Sequence, residues 1–307
     1  MLSSEAARWV NRSVGSAVRG VTALSGGYSS RMLLLDLRDR REVVLRQLHQ
    51  EPWRRHSEAL LNRETDTQRL LADSVVPAPR PLALDPDGSQ AGDPSLLMTR
   101  LPGRIDLVRQ DAWRLSGLGA LLVRIHEVEP PAGRWPRDYQ SWATEAKRHV
   151  PPWSRDDGLY AEAFARLAEP APAYDRTFLH RDFQPGNVLW TGDEANGVVD
   201  WVETSTGPAD IDVAHCSANL ATLHGAEVGH RFRAAYLSAG GTLAAEPDAA
   251  AYWQLLDLVG FLPAAGRESG TTPETMRTTW AANGRGDLDV VIARDRREDL
   301  LRLVLRG

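Results

Sequence analysis

Apolar positions follow two rhythms along the chain. In the first hundred residues they alternate or form short branched blocks: AVRGVTAL (17–24), MLLLDL (32–37), EVVLRQL (42–48), the start of LALDPDGS (82–89) and SLLMT (95–99). Such blocks predict strands. The charged turn RDRR joins the second and third as a hairpin, and SGGYSS (25–30) is a glycine-bearing turn between the first two. Residues 54–72 break this rhythm, because Leu60, Leu61, Leu70 and Leu71 recur at about helical turns, and VVPAPRP (75–81) ends the predicted helix. Beyond residue 104 helical spacing dominates, with predicted helices over 111–126, 138–149, 158–168, 209–223, 226–238, 249–262 and 287–305. TFLHRDF, VLW and GVVDW are short strand-like pieces between them, and 169–175 and 266–279 read as loops. The pattern predicts an α+β chain of two parts: a small antiparallel-sheet lobe with one helix (1–97), a hinge (98–103) and a larger helical lobe (104–307). A length of 307 residues fits two such lobes.

Composition narrows the function classes. A hydrophobic share of 42% and a charged share of 25% are those of a globular protein with a sizeable core. The single cysteine, Cys216, rules out an internal disulfide and a cysteine-rich zinc site. Glu5, Arg8, Arg12 and Arg19 interrupt the first twenty residues, so no secretory leader is expected, and no run approaches the roughly 20 apolar residues of a membrane helix. A cytoplasmic location is expected. A net charge of −5 argues against a nucleic-acid partner. Residues 1–103 carry +2 and residues 104–307 carry −7, so the second part would attract a cationic small molecule, or is simply a solvated acidic surface.

The chemistry concentrates in His180-Arg181-Asp182-Phe183-Gln184-Pro185-Gly186-Asn187, which has the H-R-D-x-x-x-x-N spacing of a kinase catalytic loop. Asp182 can accept a hydroxyl proton, and the Asn187 amide oxygen can bind Mg²⁺. Asp200 follows Asn187 by thirteen residues, across VLW, a turn TGDEANG and VVDW. That predicts a hairpin with Asp200 at the strand end, beside Asn187, as a second hard oxygen ligand for Mg²⁺. Phosphoryl transfer also needs a cation on the nucleotide phosphates. The only lysine is Lys147, in the helical part, so the strand EVVLRQL offers Arg46 in its place, and Glu64 on the following helix can hold the guanidinium. Backbone amides of Ser25, Gly26 and Gly27 could cover phosphates, although a plain turn explains them as well. Asp210 and Asp212 precede an apolar helix, where either could cap it, and Asp212 could instead brace the catalytic loop.

With these pieces in view, the sequence resembles the aminoglycoside phosphotransferase family, which is similar in fold to protein kinases. The resemblance rests on LSGGYSSR (24–31), VVLRQL (43–48), NRETDTQRLLADSVVPAPRPLALD (62–85), LLMTRLPGR (96–104), LHRDFQPGNVLW (179–190), GVVDW (197–201) and GPADIDVAH (207–215), in the family's order. It implies a bilobal kinase-like fold with ATP or GTP in a cleft, Asp182 as catalytic base, Asn187 and Asp200 on magnesium, and Arg46 with Glu64 at the phosphate. It also implies an adenine-facing hinge at Met98, Thr99 and Leu101, used mostly through backbone atoms. Arg46 departs from the family's lysine, and Arg181 stands where many relatives have glycine. Asp200 is followed by Trp201-Val202, and no activation segment follows, which disfavours a protein substrate or an obligate protein partner.

The expected activity is therefore ATP-dependent phosphorylation of a small-molecule hydroxyl, most simply on an aminoglycoside-like or other antibiotic. Glu203 and Asp257 are candidate acidic liners for a cationic acceptor. The competing expectations are a kinase of a small metabolite, such as an amino alcohol or homoserine-like compound, and a non-catalytic nucleotide-binding pseudokinase.

Overall fold

Side chains alternate across the strand at residues 43–48, and both of its faces are covered. In the computed structural model, which describes residues 2–24, 30–264 and 273–306, this strand lies at the centre of an antiparallel five-stranded sheet. The chain divides into two units. The first comprises Met1–Arg104 with Leu189–Thr191 and Asn196–Glu203, and the second Ile105–Val188, Gly192–Ala195 and Thr204–Gly307.

The first unit opens with helix α1 (Ser4–Val14), which the sequence reading left without an element. Its end signals are present: Ser3 Oγ accepts from Ala6 N at 3.1 Å, and Gly15 closes the helix at φ 69°. Strands β1 (Val18–Leu24), β2 (Arg31–Leu37) and β3 (Glu42–Gln47) follow, then helix α2 (Ser57–Leu71), β4 (Pro81–Asp85), β5 (Ser95–Thr99) and the short β6 (Arg104–Ile105). The sheet order is β1-β2-β3-β5-β4. Alternation sorts its side chains. Leu33, Leu35, Leu37, Val43, Leu45 and Leu97 pack with Ala6, Trp9 and Val10 of α1, while Val44, Leu48, Leu96 and Met98 pack with Leu61 of α2. Arg46 shares the parity of Val44 and Leu48, so it points to the α2 side. That parity decides where its charge goes.

The second unit contains α3 (Ala112–His126), α4 (Asp157–Arg166) and β7 (Thr177–Leu179). The hairpin strands β8 (Val188–Thr191) and β9 (Glu194–Val198) come next; most of their residues group with the first unit. A split at 98–103 does not foresee this return of the chain. Strand β10 (Ser205–Gly207) and helices α5 (Ala209–His224), α6 (Ala226–Ser238), α7 (Pro247–Gly260), α8 (Pro273–Ala282) and α9 (Val290–Arg306) complete the unit. Helix α5 is buried on all sides, and Ile211, Ala218 and Ala221 join Trp253, Leu255, Val259, Leu300 and Leu301 of α7 and α9 in one cluster. The lone Lys147 donates to the Gly260 carbonyl that ends α7.

Three expectations change. The segment 138–149 is not a helix beyond the 3-10 turn Glu145–Lys147. Its start pairs with β10 instead: Tyr139 N donates to Thr206 O and Thr206 N to Arg137 O, both at 2.8 Å. Prolines at 136, 151 and 152 also restrict it. The stretch 266–279 is not all loop, because Pro273 starts α8 in the position where a missing N–H is harmless. Residues 265–272 lie outside the described residues. Finally, the β8–β9 turn is Gly192-Asp193 rather than TGDEANG, with Gly192 at φ 60° supplying the left-handed residue a two-residue turn requires.

Gly103 sits at φ 93°, and a Cβ there would lie 2.7 Å from the Trp190 carbonyl oxygen. Gly103→Ala should therefore destabilise the first unit by about 1–3 kcal/mol, read as a lower denaturation midpoint by tryptophan fluorescence.

Candidate active site

The loop from His180 to Asn187 leaves β7 and ends in a 3-10 turn, Pro185–Asn187, closed by Asn187 N donating to Gln184 O at 2.9 Å. Its start is pinned from α5. Asp212 accepts from His180 N through Oδ2 and from Arg181 N through Oδ1, each at 2.8 Å. Asp212 thus braces the loop and does not cap its helix. The α5 N-cap is Pro208, and Asp210 accepts from Ala244 N at 3.1 Å. Burial opposes the Asp212 charge. His126, whose Nε2 lies 3.3 Å from Oδ2, and the charges of His180 and Arg181 outweigh burial and hold the carboxyl below its usual range. Arg181 takes a left-handed φ of 71°, rare for a residue with a side chain. Its buried guanidinium stacks 3.9 Å over the Trp142 ring and reaches Asp257 Oδ1 at 3.4 Å.

Both oxygens of Asp182 are engaged. Oδ1 accepts from Gln184 Nε2 at 2.9 Å and lies 2.9 Å from His215 Nε2; Oδ2 accepts from Asn187 Nδ2 at 3.0 Å. The side chain is still 24% exposed, so a small molecule can reach it. Burial raises its pKa, but His215, His180 and Gln184 outweigh this and keep it below the normal carboxylate value. Asn187 Nδ2 also donates to Asp182 O at 2.9 Å. Those two bonds fix the amide orientation, so its carbonyl oxygen is the end available to a cation. His215 lies between Asp182 and Asp257, with Nδ1 3.2 Å from Asp257 Oδ1. Burial works against an imidazolium here, but Asp257 and Asp182 together push the pKa up to about 9.

The first unit holds a second cluster. Arg46 NH1 donates to Glu64 Oε2 at 2.9 Å and to Asp200 Oδ1 at 2.8 Å. Glu64 lies on the buried stripe of α2 with Leu61, Gln68 and Leu71. The Arg46 guanidinium stays charged: burial opposes it, and Asp200 and Glu64 more than compensate. Because one cation serves two carboxylates, the more deeply buried one titrates, and burial pushes Glu64 up to about 7. Asp200 does not end the strand; it lies two residues beyond β9 at φ 66°, with its side chain 39% exposed. Arg63 NH1 ties α2 to the adjacent Val202 carbonyl at 2.9 Å. Among the described residues no three His, Cys, Asp or Glu side chains form a metal cage. Asn187 in the second unit offers an amide oxygen and Asp200 in the first a half-exposed carboxylate, and each is an oxygen donor of the kind magnesium takes.

The remaining predicted residues are placed as follows. Met98 is buried against α2, with Gln68 Nε2 3.6 Å from its sulfur. Thr99 N donates to Arg80 O and its Oγ1 accepts from Arg80 N, both at 2.9 Å, so this stretch is engaged by the strand edge. Leu101 is half-buried against Gly197. Ser25, Gly26 and Gly27 lie outside the described residues. Glu203 is half-buried at the end of the 3-10 turn Trp201–Glu203. Asp257 is 1% exposed and faces His215 and Arg181, so it cannot line an acceptor pocket; it supports the loop from behind. Sequence reasoning assigned nothing to His215 and Gln184. The signal for His215 was its spacing of three from Asp212, which puts both on one face of α5.

A sequence profile of the phosphotransferase enzyme family matches residues 20–253. No curated protein matches the sequence. Among solved structures, an aminoglycoside phosphotransferase candidate from Ralstonia eutropha is 16% identical over 100% of this chain and 98% of its own, with a TM-score of 0.64. An aminoglycoside phosphotransferase in ternary complex with AMP-PNP and hygromycin B is 18% identical over 99% of this chain and 98% of its own, with a TM-score of 0.61. A macrolide 2'-phosphotransferase from Brachybacterium faecium is 16% identical over 95% and 96%, with a TM-score of 0.57. The three share the fold.

Two predictions follow from the geometry. Arg46→Met leaves Glu64 buried without its cation and should lower stability by about 3–5 kcal/mol, whereas the double variant with Glu64→Met should regain most of it in urea unfolding. The His215 pKa is raised on folding, so its stabilisation is complete below the unfolded value of about 6.5 and is lost as pH rises through 9. The stability gap between wild type and His215→Gln should shrink over that window, by on the order of 3 kcal/mol.

Proposed function

We propose that this chain, which belongs to the phosphotransferase enzyme family, transfers the γ-phosphoryl group of ATP to a hydroxyl of a small molecule, with an aminoglycoside-like or other antibiotic as the acceptor class. Phosphoryl transfer asks little covalent chemistry of a protein. It needs an oriented acceptor oxygen and stabilisation of the charge on the transferring group. The observation that carries the reading is Asp182: an ionised, partly exposed carboxylate whose two oxygens are fixed by His215, Gln184 and Asn187 on a loop braced by Asp212.

In this reading Asp182 accepts the hydrogen of the acceptor hydroxyl, turns an oxygen lone pair toward the γ-phosphorus and receives the proton as the new P–O bond forms and the bond from the γ-phosphorus to the ADP oxygen breaks, ADP leaving. A carboxylate held ionised by its neighbours is a weak base, which suits a loose transition state where the proton leaves late. Arg46 contacts non-bridging phosphate oxygens. Its guanidinium replaces a lysine point charge with a planar set of donors that match phosphate geometry. Glu64 fixes the guanidinium from behind. Asn187 and Asp200 would hold magnesium, which would supply neutralisation of phosphate charge. The antibiotic acceptor class is supported by the kinases of aminoglycosides and macrolides that share the fold, and ATP by the AMP-PNP complex among them.

The test is ADP release from Mg·ATP across a panel of aminoglycosides including hygromycin B, macrolides and simple amino alcohols. Stimulation by one class identifies the acceptor. Asp182→Ala should lower that turnover by about 10²–10⁴-fold while Mg·ATP binding, measured by calorimetry, stays within a few-fold. Nucleotide binding without stimulated turnover across the panel would favour the non-catalytic reading, and near-normal turnover in Asp182→Ala would remove Asp182 from the mechanism.

A further inference from the structure

Asp182 belongs to a closed circuit of side chains. Its Oδ1 meets His215 Nε2 at 2.9 Å; His215 Nδ1 faces Asp257 at 3.2 and 3.3 Å; Asp257 Oδ1 meets Arg181 NH1 at 3.4 Å. Arg181 is the residue before Asp182, so the circuit closes through one peptide bond. Its walls are aromatic. The His215 ring stacks on Phe261, 5.4 Å between centroids and 7° from parallel, and meets Trp142 edge-on at 5.2 Å; Arg181 covers the face of the same Trp142. Asn219 Nδ2 lies 3.1 Å from His215 Nε2 but donates to the His215 carbonyl at 2.9 Å, which leaves Nε2 directed at Asp182.

We propose that His215, backed by Asp257 and Arg181, is a positioning residue that fixes the rotamer of Asp182 for phosphoryl transfer. The inference rests on the reading of Asp182 as the group that receives the acceptor hydroxyl. The other partner of Oδ1, Gln184, comes from the half-buried loop itself and can move with it. His215 comes from the buried helix α5, which also supplies Asp212 to the loop backbone. One rigid element therefore sets both the path of the loop and the direction of its carboxylate. Arg181 explains why a side chain is kept at a left-handed position that glycine fills without strain: its guanidinium holds Asp257, and through it the imidazole.

Two substitutions separate positioning from bulk packing. The amide nitrogen of His215→Gln can take the place of Nε2 and still donate to Asp182. That of His215→Asn reaches only the place of Nδ1. Both remove the ring and its charge, so a merely structural role predicts equal effects. The kinetic probe is Mg·ATP hydrolysis with water as acceptor. His215→Gln should keep kcat within about tenfold of wild type, His215→Asn should lose about 10²-fold, and KM for Mg·ATP should be unchanged in both. Equal losses in the two variants, or a loss confined to KM, would overturn the proposal. Crystal structures of both variants decide the same point without turnover. Asp182 should keep its χ1 in His215→Gln and leave it in His215→Asn; an unmoved Asp182 in His215→Asn would refute the positioning role. A wild-type chain that consumes no Mg·ATP would count against the phosphotransferase reading, while the rotamer comparison would still decide for or against the circuit.

Discussion

One buried carboxylate governs the second unit. Asp212 takes the two consecutive amides of His180 and Arg181, and without it both N–H groups would be buried with no acceptor in α5. An unpaired buried amide costs about 1–3 kcal/mol, so the loop path and the position of α5 are coupled. The left-handed turn at Arg181 follows from this, because the backbone must present two adjacent N–H groups to one carboxylate. His126 and Tyr236 extend the support outward, with His126 Nδ1 2.7 Å from the Tyr236 hydroxyl. The partly exposed Asp182 is therefore backed by mostly buried side chains of α3, α5, α6 and α7.

The first unit solves a different electrostatic problem. A guanidinium is sealed between a sheet and a helix, where a lone charge would be prohibitive. Two carboxylates neutralise it with different consequences: Glu64 is buried beside it, while Asp200 arrives from the β8–β9 hairpin and stays partly in water. Strand parity made this possible. A one-residue slip of β3 would turn Arg46 to the opposite face, toward Leu33, Leu35 and Trp9 and against α1.

Much of this was legible in the sequence, and the gaps have physical reasons. Strands β2, β3 and β5 and helices α3, α5 and α6 declare themselves by period, since each buries a clean face or a continuous apolar run. The His180–Asn187 loop is legible because its residue spacing is specific. Helix α1 was missed because its apolar stripe is only Ala6, Trp9 and Val10; its caps were the better signal. The stretch 138–149 misled because helical spacing says nothing about where backbone hydrogen bonds go, and here they go to Thr206. Asp257 looked like a pocket liner because an acidic residue in an apolar helix is conspicuous. Only packing reveals that its partners are a histidine and an arginine from other segments. His215 shares a face of α5 with Asp212, but its contact with Asp182, 33 positions earlier in the chain, is not visible from spacing within one helix.

If Arg46 stands beside the nucleotide phosphates, as proposed, it also changes which reagents can report on this protein. Acyl-phosphate nucleotide probes mark kinases by acylating the lysine beside the phosphates, and a guanidinium does not react that way. The chain's one lysine side chain is occupied elsewhere, with its ammonium on the carbonyl that ends α7. On the proposed reading, a chemoproteomic survey built on lysine acylation would pass over this chain even with nucleotide bound, so silence in such a survey would be no measure of its activity.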